Sequence, residues 1–232
     1  MRILVGTSGF SYKQWKGSFY PEDLADAQML RFYSSRFPAV EINNTFYRMP
    51  SRELLSKWAE QVPPEFTFVL KASRRITHQK RLNDVEEAVG YFFETAATLA
   101  GRLGPVLFQL PPHQRKDIGR LRDFLALIPP ERRAALEFRH ASWFDDEVYQ
   151  ALGDRGAALC IADTDPDPTP FVATTGWSYL RLRRADYDDA ALHAWAERIR
   201  AEAWDTACVF FKHEEEGKGA ALAARLIERL RP

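Results

Sequence analysis

Eight short apolar runs punctuate this chain, most of them far enough apart to leave room for a helix. They are ILVGT (3–7), AVEIN (39–43), FTFVLK (66–71), PVLFQL (105–110), AALEF (134–138), AALCIA (157–162), WSYLRLR (177–183) and TACVFFK (206–212). Short runs rich in β-branched and aromatic residues suit strands, and parallel strands require long crossovers, usually helical. Amphipathic spacing fills several gaps: Leu30, Tyr33 and Phe37; then Leu54, Leu55, Trp58 and Val62 behind a capping Ser51. Further stripes run Val85, Val89, Phe92, Ala96 and Leu99; Leu121, Phe124, Leu125 and Ile128; Leu192, Trp195 and Ile199; and Leu222, Leu226 and Leu230. The sixth gap differs. DTDPDPTPFVATTG (163–176) contains three prolines, each lacking a backbone donor, so it reads as a loop. The predicted architecture is therefore α/β, a compact (β/α)8 TIM barrel formed as one domain over 1–232, its sixth crossover replaced by a Pro-rich loop. An open doubly wound sheet is the competitor, but Gly6 and Gly9 in GTSGFSY lack the GxGxxG spacing of a dinucleotide turn.

Composition narrows the function classes. Basic and acidic residues number 32 each, so no global positive field draws the chain to nucleic acid or to an anionic membrane. Cys160 and Cys208 lie inside apolar runs and read as packed core residues in a reducing compartment. The first residues enter a strand without signal-peptide architecture, and no apolar run approaches the length of a membrane span. A soluble cytoplasmic protein without a membrane partner is the expectation.

Barrel chemistry gathers where strands end, and strand parity decides which side chains face the axis. On strand two, Val40 and Ile42 face the helices, which turns Glu41 and Asn43 inward. On strand five, Glu137 and Arg139 face inward; on strand seven, Tyr179, Arg181 and Arg183 do. Strand three ends in Lys71, strand four in Gln109, strand six in Asp163, and strand eight in Lys212 and His213. Aromatic residues cluster in the first connection (Phe10, Tyr12, Trp15, Phe19, Tyr20), after strand two (Phe46, Tyr47) and after strand five (Trp143). They read as a lid over the barrel mouth suited to a sugar or a base. Two bland alternatives stay open: an ion network that only plugs the barrel, and a hydrophobic plug in place of a lid.

The stretches VGTSGFSYKQWKGSFYP, VEINNTFYRMP, FVLKASRRITHQKRL, LFQLPP, LEFRHASWF and VFFKHEEEGKGAALA, in order from about residue 3 to residue 230, resemble the YecE-like family, also called domain of unknown function 72. The resemblance implies a TIM barrel and no established reaction. The positions that match the family's polar and aromatic residues are Ser8, Tyr12, Trp15, Glu41, Asn43, Thr45, Phe46, Tyr47, Lys71, Thr77, His78, Gln109, Glu137, Arg139, His140, Trp143, Asp163 and Arg181. The chain departs from that pattern at Arg183-Arg184, where many relatives have His-Gly. It departs again at Lys212-His213-Glu214, where many have an Asn-Asn pair. Both changes make one side of the mouth more basic.

Three chemistries fit these residue types. A metal site would draw on Glu41, Glu137, Asp163, His140 and His213, but Lys71, Arg139, Arg181 and Lys212 end neighbouring strands and disfavour a divalent ion, so no metal is assigned and the cofactor stays open. The preferred reading is a metal-independent enzyme. Glu41, Glu137 and Lys71 do acid–base or amine chemistry, while Tyr12, Trp15, Asn43, Phe46, Tyr47, His78, Gln109, Arg139, His140, Trp143, Asp163, Arg181 and Lys212 bind a small anionic or sugar-like ligand. The alternative is a binder of nucleic-acid ends or flipped bases, of the metal-dependent endonuclease-IV kind, using the basic loop at 74–81.

Overall fold

The computed structural model describes residues 1–231. Its strands are β1 (Arg2–Thr7), β2 (Ala39–Ile42), β3 (Thr67–Lys71), β4 (Leu103–Gln109), β5 (Ala134–Glu137), β6 (Ala158–Asp163), β7 (Trp177–Leu182) and β8 (Thr206–Phe211). All eight are parallel and are ordered β1-β8-β7-β6-β5-β4-β3-β2. The remaining seam, between β1 and β2, nearly closes the barrel. Ser8 bridges to Glu41, and the Gly9 amide donates to the Glu41 carbonyl at 2.8 Å. Below this bridge the Tyr33 hydroxyl fills the seam, accepting from the Thr7 amide at 2.8 Å and donating to the Ala39 carbonyl at 3.1 Å. Gly6 permits this approach, because a Cβ there would lie 2.0 Å from the Ala39 carbonyl oxygen.

Seven α-helices alternate with the strands: α1 (Met29–Ser34), α2 (Arg52–Glu60), α3 (Glu86–Ala96), α4 (Ile118–Ala126), α5 (Asp146–Arg155), α6 (Asp189–Ala201) and α7 (Lys218–Leu230). Ser51 caps α2 as its position predicts, its side chain accepting from the Leu54 amide. Leu54 itself departs from the expected stripe and stays 41% exposed. Helix α5 carries only a weak apolar stripe; it is capped by Asp145 and ended by Gly156 in the left-handed conformation. The Pro-rich sixth connection contains no helix. It lays Phe171 against Trp195 of α6 and against Trp204, with Arg198 above the Phe171 ring at 4.2 Å. Its Thr174 hydroxyl accepts from the Leu159 amide and donates to the Ala157 carbonyl.

The core has two compartments. Residues facing the helices form one large cluster, while Leu4, Ala39, Val69, Leu107, Ala135, Ala158, Cys160, Tyr179, Cys208 and Phe210 form a separate one inside the barrel. Cys160 and Cys208 are buried free thiols, and burial pushes Cys208 up to about 12, so neither is a reactive thiolate. Above this apolar filling, toward the C-terminal ends of the strands, the interior becomes charged.

Candidate functional site

Three fully or almost fully buried ionic side chains form the floor of the barrel mouth. Arg181, on β7, donates from Nη2 to Glu41 Oε1 at 2.8 Å and from Nη1 to Glu137 Oε2 at 2.6 Å, so one guanidinium joins β2 to β5 across the barrel. Glu41 is further held by the Ser8 hydroxyl at 2.5 Å, the Asn43 amide at 3.3 Å and the Tyr179 hydroxyl at 2.6 Å. Burial pushes the Glu41 carboxyl upward, but Arg181 beside it and the Ser8 and Tyr179 hydrogen bonds outweigh this and hold it below its ordinary value. Burial opposes Glu137 in the same way. Arg181, Arg139 and Arg183 overcome it and bring its pKa down to about 2. Both groups are fixed anions at neutral pH.

Cations outnumber these anions. Arg139 and Arg183 lie against Glu137 Oε1 as ion pairs lacking hydrogen-bond geometry; their side chains are 25% and 21% exposed. Among the described residues, buried N–H groups on Arg139 (Nε), Arg181 (Nε) and Arg183 (Nε and Nη1) have no hydrogen-bond partner, Arg183 Nη1 keeping only its ion pair with Glu137. Lys71 reaches in from the end of β3. Its Nζ donates to Gln109 Oε1 at 2.7 Å and sits 4.3 Å from the Phe46 ring centroid. Burial lowers the Lys71 pKa to about 8, Arg181 and Lys212 adding to the drop while Glu137 and Glu41 oppose it. Lys212 follows the inward-facing Phe210 on β8, and desolvation, Arg183 and Arg181 lower its pKa. Five cationic side chains thus face two carboxylates, with Glu214 exposed at the rim.

Some aromatic candidates border this mouth. Tyr12 donates to the Ser8 carbonyl at 2.6 Å, and Gly9, at φ 100°, makes room for it, since a Cβ there would lie 2.4 Å from the Tyr12 hydroxyl. Phe46 lies under Lys71 with His78 edge-on at 4.8 Å; the His78 ring bonds Thr77, and burial, Lys71 and His113 lower its pKa. The other aromatic residues do not form a lid. Trp15 is buried, its indole donating to the Glu214 carbonyl, and Phe10, Phe19 and Tyr20 pack on Trp58, Phe32, Tyr33 and Phe37 outside the barrel. Trp143 is buried as well, stacked on Phe138 at 4.6 Å and bonded to the Gln114 carbonyl. Rings entering a long connection gain more by burial against a helix than by roofing a charged mouth. Tyr47 is 70% exposed, outside the mouth.

Two polar candidates also lie elsewhere. His140 caps the 3-10 turn Ala141–Trp143, its Nδ1 accepting from the Ser142 amide. Asp163 faces outward, because Cys160 faces the barrel interior and Asp163, three residues on, takes the opposite side. It accepts from Arg184 Nε at 2.7 Å, the Tyr187 hydroxyl at 3.0 Å and Trp195 Nε1 at 3.1 Å. His213 is turned toward the Arg184 carbonyl and Tyr187. Glu41 and Glu137 share Arg181, whereas Asp163, His140 and His213 lie apart from them, and among the described residues no three His, Cys, Asp or Glu side chains are grouped to hold an ion. Arg183 and Tyr179, turned inward by the polar–apolar alternation of β7, complete the mouth. A lateral groove of about 1120 Å³ between α2 and α3, bordered by Tyr47, Leu54, Trp58, Arg75 and Tyr91, had no sequence signal. The basic segment keeps Arg74, Arg75, Lys80 and Arg81 exposed around a π-helical turn (Arg75–Gln79). No described helix is long and apolar enough to cross a membrane.

The comparisons agree with this architecture. The chain is 31% identical over 170 residues to the UPF0759 protein YecE of Escherichia coli K12, covering 71% of this chain and 60% of YecE. It is 31% identical over 160 residues to the UPF0759 protein YunF of Bacillus subtilis 168, covering 64% of this chain and 54% of YunF. The chain thus matches about 60% or less of the length of these curated relatives. A crystal structure of a DUF72 family protein from Thermotoga maritima superposes with a TM-score of 0.89 at 28% identity, covering 99% of both chains. One from Enterococcus faecalis, at 21% identity, shares the fold with a TM-score of 0.81, covering 98% of this chain and 95% of that one. The family model described as protein of unknown function DUF72 matches residues 4–232, and by this match, with the strand-end motifs in the order described, the chain belongs to the DUF72 family.

Proposed function

We propose that the barrel mouth binds a small anion-bearing compound without a metal ion, Arg139 and Arg183 taking the anionic group and Lys71 standing beside it. The observation that carries this reading is the imbalance of charge: five cationic side chains against two carboxylates, with buried Nε–H groups on Arg139 and Arg183 that have no hydrogen-bond partner among the described residues. A buried donor left unpaired costs about 1–3 kcal/mol, and an entering phosphate or carboxylate would relieve that cost with charge-assisted hydrogen bonds. Glu41 and Glu137 act here as fixed counter-charges that orient Arg181. Both are held ionised far below neutral pH, and Glu41 has both oxygens engaged, so the acid–base role expected of them passes to Lys71.

Recognition of a nucleic-acid end is the second reading, supported by the exposed cations of the 74–81 segment. The mouth takes precedence because its cations are partly desolvated, where an anion gains more than on an open surface. Titration calorimetry with inorganic phosphate in the presence of a chelator tests the proposal. Saturable one-site binding that weakens about tenfold or more in Arg183→Met is the expected result, since one charge-assisted bond is worth roughly 1.5–3 kcal/mol. Binding that survives Arg183→Met unchanged would remove the site from the mouth.

A further inference from the structure

We infer that Lys71 is a carbonyl-reactive amine: with a small anionic aldehyde or ketone seated in the mouth, its Nζ forms an imine with the carbonyl carbon. The inference rests on the anion-binding reading above and gives it a substrate class, oxo acids or phosphorylated carbonyl compounds.

Position is the first argument. Lys71 ends β3 with its amine on the mouth side, half-buried and still reachable, next to the ion cluster. Among the described residues its Nζ has one hydrogen-bond partner, the neutral amide of Gln109 (Oε1 at 2.7 Å), and no carboxylate within ion-pairing distance. The two buried carboxylates that could have paired with it are engaged by arginines. A largely desolvated amine, short of counter-charge and facing other cations, gives up its proton easily. Burial, reinforced by Arg181, brings its pKa to about 8, so a useful fraction is neutral at physiological pH. Lys212, the other lysine of the mouth, is exposed, and Glu214 nearby opposes the lowering of its pKa by burial, Arg183 and Arg181.

The second argument is the neighbouring arginines. Gln109, which accepts from Lys71, is aligned with Glu137 on the neighbouring strand β5, two residues before Arg139, so an anionic group held by Arg139 would bring an adjoining carbonyl to the side of the mouth where Lys71 ends β3. The step balances as follows. The neutral Nζ adds its lone pair to the carbonyl carbon, the C=O π pair moves to oxygen, and that oxygen takes a proton while nitrogen loses one. The resulting carbinolamine expels its oxygen as water, leaving a C=N bond to Lys71; no oxidant or metal is consumed.

Reductive trapping tests this. The protein is incubated with glyoxylate and cyanoborohydride, whose hydride adds to the imine carbon and leaves a carboxymethyl-lysine located by peptide mass spectrometry. At neutral pH, Lys71 should be modified at least about tenfold faster than the exposed Lys57. Excess inorganic phosphate should abolish that preference, and Arg183→Met should weaken it. Modification of Lys71 no faster than Lys57, with phosphate still binding in calorimetry, overturns the imine and leaves the anion site standing. Absence of both preference and phosphate binding overturns both.

Discussion

The ends of β6 and β7 are neighbours, Ala162 aligned with Arg181 and Asp163 with Leu182, yet they use charge in opposite ways. Asp163 points outward and collects Arg184, Tyr187 and Trp195, which fasten α6 and the turn after β7 to the sheet where the sixth crossover lacks a helix. Arg181 points inward and collects two carboxylates, but it and the arginines around it keep donors unpaired. A buried carboxylate surrounded by donors is finished structure. A buried cation cluster with unspent donors is where the proposed anion would bind. Parity, a single residue of difference along the strand, separates the two.

Substitutions can sharpen that contrast. Arg181→Met leaves Glu41 and Glu137 buried beside no shared partner, and should destabilise the fold by about 3–5 kcal/mol in urea unfolding. Asp163→Asn should cost less, about 1–3 kcal/mol, by weakening three donor contacts, and phosphate affinity should be unchanged. Loss of anion binding in Asp163→Asn would break the distinction between the two strand ends.

Acid should reach the mouth in its own pH window. The folded pKa of Glu137 lies near 2, below its ordinary 4.5, so its stabilisation is fully present above about pH 4.5 and is lost as pH falls toward 2. The contribution is on the order of a few kcal/mol, and Glu137→Gln should flatten the acid limb of stability measured by denaturant titration. Lys71 has the opposite sense and a smaller effect. Its folded pKa, about 8, lies below its ordinary 10.5, so a penalty is present below pH 8 and is relieved as pH rises to 10.5. Lys71→Met should therefore stabilise the protein at pH 7 by roughly 1–2 kcal/mol and remove the alkaline rise.

The barrel was legible because eight short runs with crossover spacing have few other solutions, and the prolines of 163–176 announced the missing helix. The floor of the mouth was legible wherever polar and apolar residues alternate, as in Val40-Glu41-Ile42 and Leu180-Arg181-Leu182. Strand β6 does not alternate: ALCIA is apolar on both faces, so the side taken by Asp163 could not be read. Helix α5 escaped because its buried face is only Val148, Ala151 and Leu152, a weak stripe. The aromatic lid failed for a different reason. Sequence shows that Trp15, Phe19 and Tyr20 are close together along the chain, but not which wall they meet, and for Phe19 and Tyr20 that wall is α1 rather than the mouth.

The most direct measurement is a crystal structure of the protein soaked in selenate, with the anion located by its anomalous scattering. The account predicts selenium between the Arg139 and Arg183 guanidinium groups, within reach of Lys71, with Glu41, Glu137 and Arg181 unmoved beneath it. Selenate found only on the exposed 74–81 segment, with the mouth closed by its own side chains, would contradict it.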